Sequence, residues 1–164
     1  MTRLITTILA ALIALTAAPV LAATDDMEMV GYMNRSGDTF ILLARKEMDN
    51  ATQARMMVRA MDADMVEEFL DVRVLESREM DRTQLLGIGA DRATMHAVMD
   101  NSFTPGLLVV AANDADVYIF VMMGDDLDGE LFAEITRDAI ANDLDITTPR
   151  GFTEVPMGQE PNRL

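Results

Sequence analysis

The clearest strand signal in the chain is the stretch 105–124, PGLLVVAANDADVYIFVMMG. Its two apolar runs, 107–112 and 117–123, are separated by four residues that include the turn formers Asn and Asp. Runs of this length, rich in β-branched and aromatic residues, predict two strands joined as a hairpin. Because the first run is apolar at every position, it indicates a strand that is covered on both faces.

Upstream of this hairpin, the sequence predicts a helix over about 50–70. Asn50 offers a side-chain cap, and Gln53 stands three positions later, as in a capping box. An apolar residue then recurs at every fourth position, which marks one face of a helix. The residues of this stripe are Met57, Met61, Met65 and Phe69.

Two further helices are predicted around the hairpin. Asp91 can cap a short helix that runs to about residue 100. Its inner face would hold Met95, Val98 and Met99. Gly124 ends the second strand, and the three aspartates after it suit the positive end of a closing helix. The apolar stripe of that closing helix is Leu127, Leu131, Ile135 and Ala139.

The remaining segments complete the predicted order of elements. Residues 27–33 and 39–44 flank a turn-rich loop and predict an N-terminal hairpin, and 72–76 alternates as a short strand. Residues 85–89 indicate a second short strand or a loop, and the tail 145–164 indicates an extended or disordered segment. The order is β-α-β-α-β-β-α, an α/β (α+β) class with an added N-terminal strand or hairpin. Its crossovers predict parallel pairing early and antiparallel pairing late.

The N-terminal 22 residues have the pattern of a secretory signal peptide. Arg3 precedes an apolar run over 4–18, and the small residue Ala22 follows at the expected cleavage site. The run is shorter than the roughly 20 residues that a spanning helix needs, so the pattern predicts cleavage near Ala22 instead of a membrane anchor. The sequence therefore predicts a signal peptide, a periplasmic location and one globular domain over 23–144.

The composition narrows the classes of function. The chain has 28 acidic residues, 13 basic residues and no cysteine. Loss of the leader removes Arg3, which leaves 12 basic residues and a net charge of −16. This charge repels nucleic acid and anionic lipid alike. The absence of cysteine excludes thiol catalysis, disulfides and cysteine-based zinc sites. We therefore expect the mature chain to bind no nucleic acid and no membrane, and no motif in it indicates a cofactor.

The second half of the chain, roughly 91–142, resembles the thioredoxin-like fold. A short helix leads to Thr104-Pro105, then to an apolar strand, a turn, a second strand, a glycine and a final amphipathic helix. The resemblance implies that Pro105 lies beside the position of the family's active site, with Thr104 before it. In the family, a redox pair lies where the first core strand runs into the first helix. The resemblance places that junction at 47–50, where this chain has Glu-Met-Asp-Asn and no cysteine. The family's scaffold is therefore implied, but its redox activity is not.

Cysteine-free members of the thioredoxin-like fold generally act as binding, chaperone-like or scaffolding modules. Together with the predicted signal peptide, the resemblance therefore implies an exported, non-catalytic binding or chaperone-like protein with a protein or peptide partner. The contact surface that it implies combines two regions of the chain. These are Glu47, Asp49 and Asn50 at the first junction, and Thr104 and Pro105 before the hairpin.

Methionine is unusually frequent, with 14 residues outside the leader. One interpretation is core packing, because methionine fills irregular gaps in place of leucine, and Met57, Met61 and Met65 lie on the predicted buried stripe. A second is an exposed apolar surface for peptides. A third is a copper(I)-handling protein, since thioether sulfur is a soft ligand. The groups considered for copper are Met27, Met29 and Met33, or Met95, His96 and Met99.

No motif in the sequence predicts an enzyme. His96 is the only histidine, with Asp100 and Ser102 nearby. Catalytic triads draw their members from separate elements, so this local group indicates an exposed helix histidine instead. The acidic stretch 125–130 also lacks the anchors of an EF-hand, because Gly129 at the sixth position would put glycine first and isoleucine twelfth.

Overall fold

Residues 27–157 are described by the computed structural model, and they form a seven-stranded sheet with helices on both faces. The strands are β1 (Met27–Asn34), β2 (Thr39–Glu47), β3 (Val72–Glu79), β4 (Arg92–Asp100), β5 (Pro105–Asn113), β6 (Asp116–Gly124) and β7 (Phe152–Val155). The helices are α1 (Ala51–Ala60), α2 (Ala63–Leu70), α3 (Arg82–Ile88) and α4 (Gly129–Ala141). The mixed α/β class is confirmed.

The strands lie in the order β3-β4-β5-β6-β2-β1-β7, and every neighbouring pair within 27–157 is antiparallel. The predicted early parallel pairing is therefore wrong. The helical crossover does connect two strands that run in the same direction, β2 and β3. However, the chain then returns through β4, β5 and β6, and these three strands fill the space between them. The predicted hairpin over 105–124 is confirmed as β5 and β6.

Because successive side chains of a strand point to opposite sides, the sheet has two separate cores. Helices α1 and α2 cover one side, which we call the methionine face, and α3 and α4 cover the other, which we call the aromatic face. The methionines in or against the first core are Met27, Met29, Met33, Met48, Met57, Met61, Met65, Met123 and Met157. The buried aromatic residues of the second core are Tyr32, Tyr118, Phe120 and Phe132.

The single helix predicted before β3 is two helices. Asn50 caps α1 by accepting a hydrogen bond from the Gln53 N–H at 3.0 Å, as predicted. Met61 ends that helix, and Asp62 begins α2 by accepting from the Met65 N–H at 3.0 Å. An internal aspartate cap therefore interrupts the helix, although the apolar spacing continues across it.

Two short segments adopt a different secondary structure from the one predicted. Residues 85–89 lie at the end of α3, which Asp81 and Gln84 begin with a capping box and Gly89 ends at φ 74°. Residues 91–100, predicted as a short helix, instead contain strand β4 between β3 and β5. Because β4 pairs along the length of β5, tertiary pairing outweighs the helical spacing of its apolar residues.

The two edges of the sheet are short or protected. At one edge, β7 belongs to the tail predicted as extended or disordered and pairs with β1 over four residues. At the other, β3 has an irregularity between Val74 and Glu76, and the Val74 N–H donates to the Glu67 carboxylate at 2.7 Å. A bulge and an occupied amide both hinder the addition of another strand.

No helix within the described range is long and apolar enough to cross a membrane. The signal peptide predicted over 1–22 lies outside the described residues. Export therefore stays a prediction from the sequence.

Candidate functional site

The β4–β5 tip, residues 100–105, is a tightly bonded loop at one end of the sheet. The Asp100 Oδ1 accepts hydrogen bonds from the N–H groups of Ser102 at 2.9 Å and Thr104 at 2.7 Å. The backbone closes the same loop, because Phe103 N–H donates to the Asp100 carbonyl and Asp100 N–H donates to the Thr104 carbonyl, both at 3.0 Å. These bonds fix the conformation of the tip.

Phe103 projects from this tip into solvent. Its side chain is 78% exposed, the largest exposed fraction among the large apolar residues of the described chain. Its φ is 63°, in the left-handed region. A bulky residue adopts that region at a cost of about 1–3 kcal/mol. Packing within the chain does not explain why an aromatic ring is held in this position.

Carboxylates surround the base of the tip. Asp71, at the end of α2, accepts a hydrogen bond on Oδ2 from the Asn101 Nδ2 at 2.9 Å. Its neighbour Val72 pairs with Asp100, so Asp71 and Asp100 lie close together at this end of β3 and β4. An exposed ring above two carboxylates suits a partner that offers apolar and cationic groups.

Two of the predicted site residues, Thr104 and Pro105, belong to this tip. Pro105 is the first residue of β5, pairs with Met99, and follows a trans peptide bond. Both side chains are only partly exposed, whereas the Phe103 side chain beside them is 78% exposed. The sequence patterns do not predict Phe103 as a contact residue. The signal that could have identified it is an aromatic residue directly after the turn formers Asp-Asn-Ser.

The other predicted contact residues lie at the opposite end of the sheet. Glu47 pairs with Asp116 of β6, which pairs with Asn113 at the end of β5 far from Pro105. At roughly 3.4 Å per residue, the length of β5 separates the two ends by about 27 Å. The structure therefore does not bring the five predicted residues together into one surface.

At that opposite end, Asn50 has a structural role. Its side chain caps α1, and the N–H of Asp49 donates to the Gln53 side chain at 3.2 Å. Glu47 and Asp49 are exposed carboxylates beside the start of this helix. They add negative charge to the surface without a bonded framework like that of the β4–β5 tip.

A small pocket lies on the methionine face near Glu47. We call it the methionine pocket, because Met27, Met48, Met57 and Met61 line it. Its wall is apolar, and it has about 10 Å³ of space, close to what one water needs. The rest of its lining is Ala44, Arg45, Lys46, Val110, Val117 and Ile119.

His96 is wholly buried in β4, contrary to the exposed helix position predicted for it. In a strand its imidazole points to the methionine face, whereas Met95 and Met99 point to the aromatic face. The structure therefore separates the three residues considered together for copper. Neither ring nitrogen makes a hydrogen bond of ordinary geometry, although the Met61 backbone lies near enough to the ring to act on it. Burial lowers the pKa of His96, against smaller raising effects of the Met61 carbonyl and the Asp62 carboxylate.

A charged cluster lies at the end of the aromatic face. Arg45 Nε is 3.2 Å from Asp116 Oδ1 and 3.7 Å from Asp143 Oδ1, and its NH1 nitrogen is 3.3 Å from a Glu28 oxygen. Burial lowers the pKa of Arg45, but the bond and charge of Asp116 and the other acids raise it overall. Burial, Asp116 and Asp143 raise the pKa of Tyr118 to about 12. The cluster is therefore internally paired.

No group of three or more histidine, aspartate or glutamate side chains within 27–157 is placed to hold a metal ion. A scan against protein-family models and a search of the curated proteins found no match to this chain. The two candidate sites are therefore defined by geometry, as the β4–β5 tip and the methionine pocket.

Proposed function

We propose that the protein is an exported, non-catalytic binding module that docks onto a partner protein through the β4–β5 tip. The Phe103 ring inserts into an apolar pocket of the partner, and Asp71 and Asp100 face basic groups at the rim of that pocket. One observation carries the proposal. Phe103 is exposed to solvent and is held in a left-handed backbone conformation by a bonded loop.

Phe103 has the properties of an interface anchor. Burying an aromatic side chain of this size gains about 1.5–3 kcal/mol, and rings that fill pockets dominate many interfaces. The hydrogen bonds to Asp100 already fix the tip, so little conformational entropy is lost when a partner closes over the ring. Backbone strain is also typical of segments where function, and not stability, sets the conformation.

Charge defines the chemistry of the partner. The chain has a net charge of −15, and the tip stands above Asp71 and Asp100. Opposite charge speeds the encounter of two proteins and excludes acidic competitors. The partner surface that fits is therefore apolar at its centre and basic at its rim, and its association rate should fall as salt is added.

The thioredoxin-like resemblance bears on this proposal only through the missing cysteines, because the helix expected before Thr104 is strand β4. Cysteine-free members of that fold generally act by contact, and this chain has no cysteine. The proposal does not depend on the sheet topology of that family. Export by the signal peptide predicted over 1–22, and hence a binding or chaperone-like role in the periplasm, belongs to the same proposal.

The test begins with photo-crosslinking in cells of the source organism. A benzoylphenylalanine residue replaces Phe103 in one variant and Leu86 in a matched control. Leu86 is 74% exposed on α3, so both probes are accessible. We expect a discrete cross-linked protein from position 103 and none of the same mass from position 86. Equal cross-linking at both positions would contradict the proposal.

The partner identified in this way is then purified and its affinity measured by calorimetry. Phe103→Asn should weaken binding by about 30-fold, the loss of roughly 2 kcal/mol expected for an anchor residue. Asparagine tolerates the left-handed region, so this variant should unfold at equal or higher urea concentration than the natural chain. Leu86→Ala should bind normally. Unchanged affinity of a folded Phe103→Asn variant overturns the assigned contact.

A further inference from the structure

The methionine pocket is lined by four methionines from separate parts of the chain. Met27 comes from β1, Met48 from the connection after β2, and Met57 and Met61 from α1 and its end. We propose that this pocket binds one Cu(I) ion through these thioethers, with Ag(I) as an equivalent probe. The site is distinct from the β4–β5 tip, so this inference goes beyond the proposed docking function.

The donor set selects for a soft, monovalent ion. Thioether sulfur is a ligand for Cu(I), whereas Mg²⁺, Ca²⁺ and Mn²⁺ require carboxylate, carbonyl or water oxygens. The wall of the pocket is apolar, so it supplies none of those oxygens. The chain also has no cysteine to compete for a soft ion. Selectivity therefore follows directly from the residues that line the pocket.

The size of the pocket limits the occupant to one ion. Its space of about 10 Å³ is close to the volume that a single water requires. A water there would find no polar partners on an apolar wall, so the pocket does not suit water. Methionine has three flexible side-chain torsions, so the sulfurs can close around an ion without moving the backbone.

Two cationic residues also line the pocket and act against a bound cation. Arg45 is balanced by Asp116 and Glu28 at the end of the aromatic face. Lys46 is buried and its side chain belongs to the methionine face, opposite Met27 in β1. Lys46 has an interaction of its own within the chain, and its positive charge still disfavours a cation in the pocket that it lines. This residue therefore gives the proposal a test with a defined sign.

The direct test is a titration of the full-length chain, labelled with ¹³C at the methionine methyl groups. Silver nitrate is added in chloride-free buffer, and Cu(I) is then added under anaerobic conditions against bicinchoninate as a competing chelator. We expect saturation at one equivalent of either ion. The methyl signals of Met27, Met48, Met57 and Met61 should shift, while those of Met80 and Met122 on the aromatic face should not.

Paired leucine variants separate ligation from packing. Met27→Leu with Met57→Leu removes two thioethers but conserves the volume of the core. Loss of even an outer-shell partner of a metal ligand costs about 10–100-fold in affinity, so this variant should bind at least about 100-fold more weakly. Met80→Leu with Met122→Leu is the matched control from the other face and should bind normally. Equal losses in the two double variants would overturn the proposal.

Lys46→Gln provides the second measurement. It removes the positive charge, and we expect Ag(I) affinity to rise severalfold at low salt. An unchanged or reduced affinity would contradict an ion at this position. Saturation at several equivalents, with shifts spread over both faces, would show adventitious thioether binding and would also overturn the assignment.

Discussion

The two faces of the sheet share the same strands but differ in the side chains that cover them. The aromatic face contains stiff rings, including Tyr118 and Phe120, whose centroids are 5.7 Å apart. Its charged groups are paired around Arg45. The methionine face has flexible thioethers, a small pocket and the buried imidazole of His96. One face is therefore filled by rigid rings, whereas the other combines flexible side chains with a small pocket.

The largest expected effect comes from two adjacent leucines in β2. Leu42 and Leu43 are both 0% exposed, but Leu42 belongs to the methionine face and Leu43 to the aromatic face. Leu43→Ala should cost about 4 kcal/mol of unfolding free energy, because rigid rings cannot fill the cavity. Leu42→Ala should cost about 3 kcal/mol, because methionines relax into the space. Urea unfolding measures both free energies. A larger loss for Leu42→Ala than for Leu43→Ala would contradict the proposed difference between the two faces.

A smaller effect is expected at alkaline pH and belongs to the aromatic face. The pKa of Tyr118 is about 12 in the folded chain, above its ordinary value of 10.0. Between these values the folded state holds a proton that the unfolded state has lost, so stability falls as pH rises. By pH 11.5, Tyr118→Phe should flatten this decline by up to about 2 kcal/mol. Urea unfolding from pH 8 to 11.5 measures the effect, and identical slopes would contradict it.

The smallest effect is expected at acidic pH and belongs to the methionine face. Burial lowers the pKa of His96 below its ordinary 6.5, so below that pH the unfolded state binds a proton that the folded state does not. Stability should therefore fall as pH drops from 7 to 5, with a contribution of at most about 1.4 kcal/mol per pH unit. His96→Leu should remove that contribution. The difference in unfolding free energy between the natural chain and the variant, followed from pH 7 to 5, measures this contribution. A difference that does not change with pH would contradict the role assigned to His96.

Sequence patterns predict the parts of this fold in which local and tertiary preferences agree. The hairpin of β5 and β6 was predicted because its apolar runs are long and unbroken. The N-cap Asn50 was predicted from its own chemistry. By contrast, β4 contains Met95, Val98 and Met99 at helical spacing, and only its two neighbouring strands make it a strand. The antiparallel order also escaped prediction, because it depends on which strands fill the gap left by the crossover.

The two candidate sites also differ in how far the sequence predicts them. The resemblance places Thr104 and Pro105 on a contact surface, and in the structure they directly follow the exposed Phe103. Exposure is a property of the folded chain, so the sequence offered only the turn formers before that ring. The methionine pocket was harder still to predict. Met27 and Met57 lie 30 residues apart, and only the packing of α1 on the sheet brings them together.

The carboxylate of Glu67 on the outer edge of β3 has a further consequence. It accepts a hydrogen bond from the Val74 N–H, which an added strand would need for its own backbone pairing. Copies of this protein therefore cannot extend their sheets edge to edge at this point without first displacing that side chain. The acid thus hinders fibrillar stacking at this edge of the sheet.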